Sequence, residues 1–245
     1  MNTHSPAEAM AAETLSVNYG HVHALDNVSI TLTHGRIRAL IGTNGSGKST
    51  LFKALMGLEK PSSGTIRSAH SEPGAIAYVP QSEAVDWNFP LNVRDVVSSG
   101  RRAGKHGQFF RRLDSSDKRT VSTALERTEL TEFQHRQIGQ LSGGQKKRAF
   151  IARGLAQQAR VMLLDEPFAG VDTENQTQIT ALLRDLAAHG TALLVSTHDL
   201  DRLGELADDV TLLGRRVIAE GSVDEVSRPE NLRAAFGGGL EASAR

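Results

Sequence analysis

Two short stretches carry most of the chemistry legible in this sequence. The first is Gly42-Thr43-Asn44-Gly45-Ser46-Gly47-Lys48-Ser49-Thr50, a glycine, four residues and then Gly-Lys-Ser, the spacing of a phosphate loop. Glycines let successive backbone N–H groups turn inward around an anion, and the helix expected to follow adds donors with partial positive charge. Lys48 is placed to reach the β- and γ-phosphates of a nucleotide, and the Ser49 hydroxyl to coordinate Mg²⁺. The second stretch is Asp165-Glu166, closing the apolar run Val161 to Leu164. A buried strand end gains nothing from two adjacent carboxylates unless a cation or a reacting water lies opposite.

Other polar residues fall at similar places. Gln81 follows a short strand over Ile76 to Val79 that Pro80 stops, and His198 follows the apolar strand Thr191 to Ser196. Ligands of open α/β sheets bind outside the carboxyl ends of the strands, so His198 points toward the edge that carries Asp165 and Glu166. Leu141-Ser142-Gly143-Gly144-Gln145 opens a helix-forming run through Ala159, either a second anion site with open N–H groups or simply a capped helix. Tyr19, at a strand end beside Gly20, is open to two readings, packing or stacking on a base. His21 and His23 share a face without a visible third ligand, which favours solvated loop histidines over a metal site.

The elements that must position these residues are legible from periodicity. Ile37 to Ile41 is a buried strand, and Leu51, Phe52, Leu55 and Met56 recur at helical spacing, the strand, loop and helix that the phosphate loop requires. Leu15, Val17 and Tyr19, then Val28, Ile30 and Leu32, alternate with polar residues as two half-buried strands, and Thr65 to Arg67 is another short strand. Val93, Val96 and Val97 with Val121 and Leu125 mark a helical insertion. Its basic segment, Arg101-Arg102 through Arg111-Arg112, is expected as a solvated, mobile connection in preference to a nucleic-acid surface. Ile179, Leu182, Leu183 and Leu186 predict an amphipathic helix, followed after the Thr191 strand by a helix through Leu203 and Leu206, strands Val210 to Leu213 and Arg216 to Ala219, and a polar helical tail.

Composition sets the outer limits. A chain of 245 residues holds one large domain or two small ones, and not two nucleotide-binding domains in tandem. Lys plus Arg and Asp plus Glu balance at 28 each, which advertises neither nucleic acid nor an anionic membrane surface. With no cysteine there is no disulfide framework or thiolate metal site, which suits a reducing compartment. Apolar runs are far shorter than the roughly 20 residues of a membrane-spanning helix, and Met1 to Glu13 does not resemble a signal peptide.

Taken together, these separated segments resemble the ATP-binding cassette (ABC) ATPases over nearly the whole chain, in the family's order. Besides the phosphate loop, Leu141 to Gln145 reads as the signature, Val161 to Glu166 as the Walker B strand, Gly170-Val171-Asp172 as the D-loop, Gln81 as the Q-loop glutamine and His198 as the switch histidine. Thr43 departs from the family's usual proline, and Lys146 and Lys147 from the more frequent glutamine. The resemblance implies an α/β P-loop NTPase fold with a mixed, largely parallel core sheet, an antiparallel β-subdomain and a helical subdomain over about 82–155. It also implies one domain over 11–236 between flexible tails at 1–10 and 237–245.

For the site, the resemblance implies ATP and Mg²⁺, with Tyr19 stacking on adenine and the metal held through Ser49, Gln81 and, by way of water, Asp165. Glu166 polarises the attacking water and His198 contacts the γ-phosphate. Ser142 to Gln145 cover the γ-phosphate of a second copy, so two chains complete two sites. The segment Val85 to Val97 and the run Pro229 to Arg233 resemble ATPase subunits of manganese, zinc or iron importers, with siderophore importers as close neighbours. The implied partners are a second copy, polytopic permease subunits and, indirectly, an extracytoplasmic metal-binding receptor, with no nucleic acid. The implied location is the cytoplasmic face of the membrane. The competing classes are an ABC protein that reshapes nucleic acid or ribosomes and a small-molecule kinase, which has no use for signature, D-loop and switch histidine together.

Overall fold

The computed structural model describes residues 7–81, 87, 89–102 and 112–236. They form two compact units, the first built from the residues up to Ala69 and from Ala187 on, the second from His70–Leu186. The helical part expected over about 82–155 falls within the residue range of the second unit.

The first unit holds two sheets. One is antiparallel, with β1 (Glu8–Tyr19) between β2 (Val22–Thr33) and β4 (Ser63–Ser68). β1 begins at Glu8, so the expected tail is too long: Glu8 pairs with Thr33 and Met10 with Leu32. Ala9, Met10, Ala11 and Ala12 are all buried, which explains why a stretch of small side chains reads as a loose tail yet orders as a strand. The alternation read from sequence holds at Leu15 and Val17 on β1 and at Val28, Ile30 and Leu32 on β2, all buried.

The second sheet of this unit is mixed. β3 (Ile37–Ile41) lies between β7 (Ala192–Ser196) and β8 (Asp209–Leu213), parallel to both, and β9 (Val217–Gly221) pairs antiparallel with β8. Buried on both faces, β3 and β7 are near-continuous apolar runs, as parallel strands require. α1 (Lys48–Leu55) buries Leu51, Phe52 and Leu55, matching the spacing read from sequence. Packed on β3 and β8, α6 (Leu203–Leu206), α7 (Val223–Val226) and α8 (Pro229–Phe236) cover Ala39, Ile41, Val210 and Leu212 with Leu203, Val226 and the partly buried Phe236.

The second unit carries the parallel pair β5 (Ile76–Val79) and β6 (Val161–Leu164), in register Val79 with Leu164, and four helices. These are α2 (Val93–Ser99), α3 (Ser115–Arg127), α4 (Gly143–Gln157) and α5 (Thr173–Ala188). Val93, Val96, Val97, Val121, Leu125, Leu130, Ile138, Ala149 and Ala152 form one buried cluster. At about 1.5–3 kcal/mol for each large aliphatic side chain removed from water, that cluster is what holds three short helices together. Each of α2, α3 and α4 also starts in a reciprocal capping box, Asn92 with Asp95, Asp114 with Asp117 and Ser142 with Gln145.

The basic segment departs from expectation at its first residue. Arg101 is no solvated cation: its Nε donates to Asp117 Oδ1 at 2.9 Å and its guanidinium also donates to the Ala156 carbonyl at 2.9 Å. Residues 103–111, with Val85, Asp86, Asn88 and Gly237 to Gly239, lie outside the described residues. No helix among the described residues is long and apolar enough to cross a membrane.

Candidate nucleotide site

The sequence-predicted residues fall into two groups, one in each unit. In the first unit, β3 runs directly into the phosphate loop. Gly45 and Gly47 have φ of 78° and 100°, the left-handed region where glycine bears no Cβ penalty. At Gly47 a Cβ would also sit 2.6 Å from the Ala24 carbonyl oxygen, so the position is closed to other residues twice over. Ser46 N–H donates to the Thr43 carbonyl at 3.1 Å, closing the turn. Buried Lys48 folds its ammonium back over the loop, donating to the carbonyls of Gly42 at 2.7 Å and Thr43 at 3.1 Å. The Thr43 carbonyl thus accepts from both Ser46 and Lys48.

These residues fit a nucleotide's phosphates on their own features. α1 has Gly47 as its N-cap with no side-chain cap and no acidic residue in its first turn, so nothing in that turn compensates the positive end of the helix. Ser46 Oγ is buried with no hydrogen-bond partner among the described residues. Ser49, the expected metal ligand, is exposed, and Thr50 half-buried, on the first turn of α1.

His198 belongs to this group. β7 leaves the sheet beside β3, Leu40 in register with Ser196, and Thr197 N–H donates to the Leu40 carbonyl at 3.2 Å. His198 is therefore exposed at the strand edge from which the phosphate loop departs. Tyr19 closes β1 with its ring 43% exposed and its hydroxyl donating to Glu59 Oε2 at 2.9 Å. An exposed ring held by its hydroxyl offers a face for stacking. His23 makes its contact with Asn18, Nδ1 to Oδ1 at 2.7 Å.

The second unit brings Gln81, Asp165 and Glu166 together. β5 and β6 end side by side, and Asp165 N–H donates to the Val79 carbonyl at 2.9 Å. Gln81 Nε2 then lies 3.5 Å from Glu166 Oε2, a long contact between two side chains read separately from the sequence. Glu166 has φ of 46°, in the left-handed region that costs a non-glycine residue about 1–2 kcal/mol. Strain of this kind persists where function holds it in place.

Two residues at this centre escaped sequence reasoning. The Tyr78 hydroxyl donates to Asp165 Oδ2 at 3.4 Å, and burial followed by the carboxylate pushes its pKa up to about 12. Lys147, 2% exposed, donates from Nζ to the Glu166 carbonyl at 3.2 Å and to the Pro80 carbonyl at 3.5 Å. Burial lowers the pKa of that ammonium while Asp165 and Glu166 pull it back up. The only signal in the sequence was the departure of Lys147 from glutamine.

The signature segment also lies in this unit. Ser142 Oγ accepts from Gln145 N–H at 3.2 Å and Gln145 Oε1 accepts from Ser142 N–H at 3.0 Å. Of the N–H groups expected to be open, those two are thus filled from within, and the Gly143 and Gly144 N–H groups of the first turn remain for an anion. Both glycines are needed for fit. A Cβ on Gly143 would sit 2.8 Å from the Gly170 carbonyl oxygen, and one on Gly144 2.6 Å from Asn175 Oδ1. Asn175 is itself tied to Asp172, by N–H to Oδ1 at 3.0 Å and Nδ2 to Oδ2 at 2.8 Å, which lowers the Asp172 pKa.

The ABC transporter family profile matches residues 25–169, more than half of the chain, and spans the phosphate loop, Gln81, the signature and Asp165-Glu166. The chain belongs to the ABC transporter family. Among its ABC relatives, the Yersinia pestis protein YfeB, named for chelated iron transport, is 48% identical over 93% of this chain and 78% of its own length. The Synechocystis manganese transport ATP-binding protein MntA is 44% identical over 94% of this chain and 90% of its own. In structure, a nucleotide-free ATP-binding cassette from an ABC transporter superposes with a TM-score of 0.81 at 26% identity, covering 92% of this chain and 98% of that one. ATP hydrolysis is characteristic of the ABC family, and the chain is an ATPase of that class.

Proposed function

We propose that this ATPase drives import of a transition-metal ion, manganese, zinc or iron, through separate permease subunits. The observation that carries the substrate class is the 48% and 44% identity, over more than nine-tenths of the chain, to relatives named for iron and manganese transport. The ion itself is the permease's cargo, and the subunit acts at the cytoplasmic face of the membrane through that permease.

Within the site, backbone N–H groups of the phosphate loop and the Lys48 ammonium bind the β- and γ-phosphates, and Tyr19 stacks on the adenine. Ser49, Gln81 and, through water, Asp165 would hold Mg²⁺, which would supply positive charge to offset that of the phosphates. Glu166 orients and polarises the attacking water, and His198 steadies charge developing on the γ-phosphate, so catalysis relies on positioning and electrostatics. The strained Glu166 backbone and its contact with Gln81 support that assignment. The signature residues Ser142, Gly143, Gly144 and Gln145 serve the nucleotide of a second copy, so that two chains related by a two-fold axis complete two sites. An extracytoplasmic metal-binding receptor delivers the ion to the permease.

The deciding experiment is metal uptake in cells carrying Glu166→Gln. Loss of manganese, zinc or iron accumulation, with siderophore uptake intact, supports the proposal. Unchanged uptake of all three ions refutes it, and loss of siderophore uptake alone assigns the chain to that neighbouring class.

A further inference from the structure

The phosphate loop of this chain is gripped from outside by two segments that no motif includes. One is the turn between β8 and β9. A Cβ on Gly42 would overlap the Leu213 carbonyl oxygen, and Arg215 N–H donates to the Ser46 carbonyl at 2.8 Å. Because Ser46 N–H is already bonded to Thr43, the Ser46 residue at the middle of the loop is fixed on both its sides. The other segment is the start of β2, where the Ala24 carbonyl and Leu25 side chain close on Gly47.

These two segments are tied to each other at Asp26. Its N–H donates to the Arg215 carbonyl at 2.9 Å, and its carboxylate accepts from Arg216, Nε to Oδ2 at 2.7 Å. The backbone is bent to allow this: Arg215 has φ of 67° and Asn27, next to Asp26, φ of 55°. Neither is glycine. Asparagine tolerates that region, but arginine does not, so the strain at Arg215 is what a selected geometry looks like.

We infer that Asp26 and Arg216 form a clasp that holds the β8–β9 turn against the phosphate loop and so presets the loop for nucleotide. Asp26, Arg215 and Arg216 are positioning residues acting through Ser46. The inference rests on the nucleotide-binding reading of the loop. The Asp26–Arg216 pair is exposed, with 38% and 71% of the two side chains open to solvent, so its contribution to global stability is small. Its effect falls on binding, because a loop already in its bound shape loses less entropy when it meets its ligand.

The test uses the full chain with Mg²⁺ and a fluorescent ATP analogue, reading Kd, the KM and kcat of ATP hydrolysis, and the thermal midpoint. Asp26→Ala and Arg216→Ala each raise Kd and KM about five-fold, equivalent to about 1 kcal/mol, with kcat at saturating ATP unchanged. The double exchange Asp26→Arg with Arg216→Asp restores binding. Wild-type affinity in both alanine variants overturns the clasp, as does failure of the exchange to restore it. Weak binding with loss of a cooperative unfolding transition assigns the pair to folding and also overturns it. If the wild-type chain itself binds no nucleotide, as Lys48→Ala is expected not to, the functional reading falls and the clasp with it.

Discussion

The Tyr78 hydroxyl donates to the Asp165 carboxylate at 3.4 Å where β5 and β6 end together, and the phenol's pKa is raised from 10.0 to about 12 by burial and by that carboxylate. A raised folded-state pKa means that the folded chain holds the phenolic proton more tightly than the unfolded one. The resulting stability is fully present below pH 10 and is lost as pH rises through 12. In urea unfolding, the stability difference between the wild type and Tyr78→Phe is therefore flat below that window and declines across it. A difference independent of pH through the window refutes the coupling.

Lys147 predicts a split between binding and turnover. Truncating it to alanine removes one of the two donors to the Glu166 carbonyl, leaving the Ala169 N–H, and costs about 1 kcal/mol of stability. Since the phosphate loop is untouched, ATP affinity is retained. A loosened Glu166 lowers kcat by about tenfold, about 1.4 kcal/mol of barrier. Stopped-flow binding beside steady-state hydrolysis checks both, and equal losses in the two refute the assignment.

The backbone of Glu166 inverts an ordinary ranking. At φ of 46°, Glu166→Gly should be more stable than Glu166→Ala by about 1 kcal/mol, although glycine is usually the weaker choice. Both variants lack the carboxylate and hydrolyse ATP far below the wild-type rate, whereas Glu166→Gln keeps ATP and traps the paired chains. Denaturant melts and size-exclusion with ATP provide the measurements.

The signature glycines make the sharing of sites testable. Ser142→Ala mixed with Lys48→Ala should recover activity beyond either variant alone, because one of the two sites in the mixed pair has both parts intact. Gly144→Ala, whose Cβ would sit 2.6 Å from an Asn175 side chain anchored to Asp172, should behave like Ser142→Ala in that mixture. Mixtures no more active than their components would place the signature on its own chain's nucleotide.

What could be read in advance follows from where the information lies. The strands before Gly42 and Asp165 are legible because burial on both faces leaves near-continuous apolar runs, and the helix after Lys48 because Leu51, Phe52 and Leu55 recur at helical spacing. Glu8 to Met10 were missed because Ala9 and Met10 carry no alternation, and their order comes from pairing with residues more than twenty positions away. Arg101 reads as solvated because its partner, Asp117, is the third residue of a later helix. At the site, residue types identified Gln81 and Glu166 separately. Their contact, the strain at Glu166 and the roles of Tyr78 and Lys147 depend on how β5, β6 and α4 pack, which spacing along the chain does not encode.

The chain's single tryptophan sits in an instructive place. Trp87 meets the Phe150 ring edge-on at 5.7 Å while the Lys146 ammonium lies 4.8 Å from its centroid, and both neighbours belong to the helix that the signature opens. Phe89, two positions on, is 57% exposed. A lone indole flanked by a cation and a ring is a native optical gauge. Any shift of that helix relative to Trp87 will change its emission, so a movement there on addition of ATP can be timed in unlabelled protein.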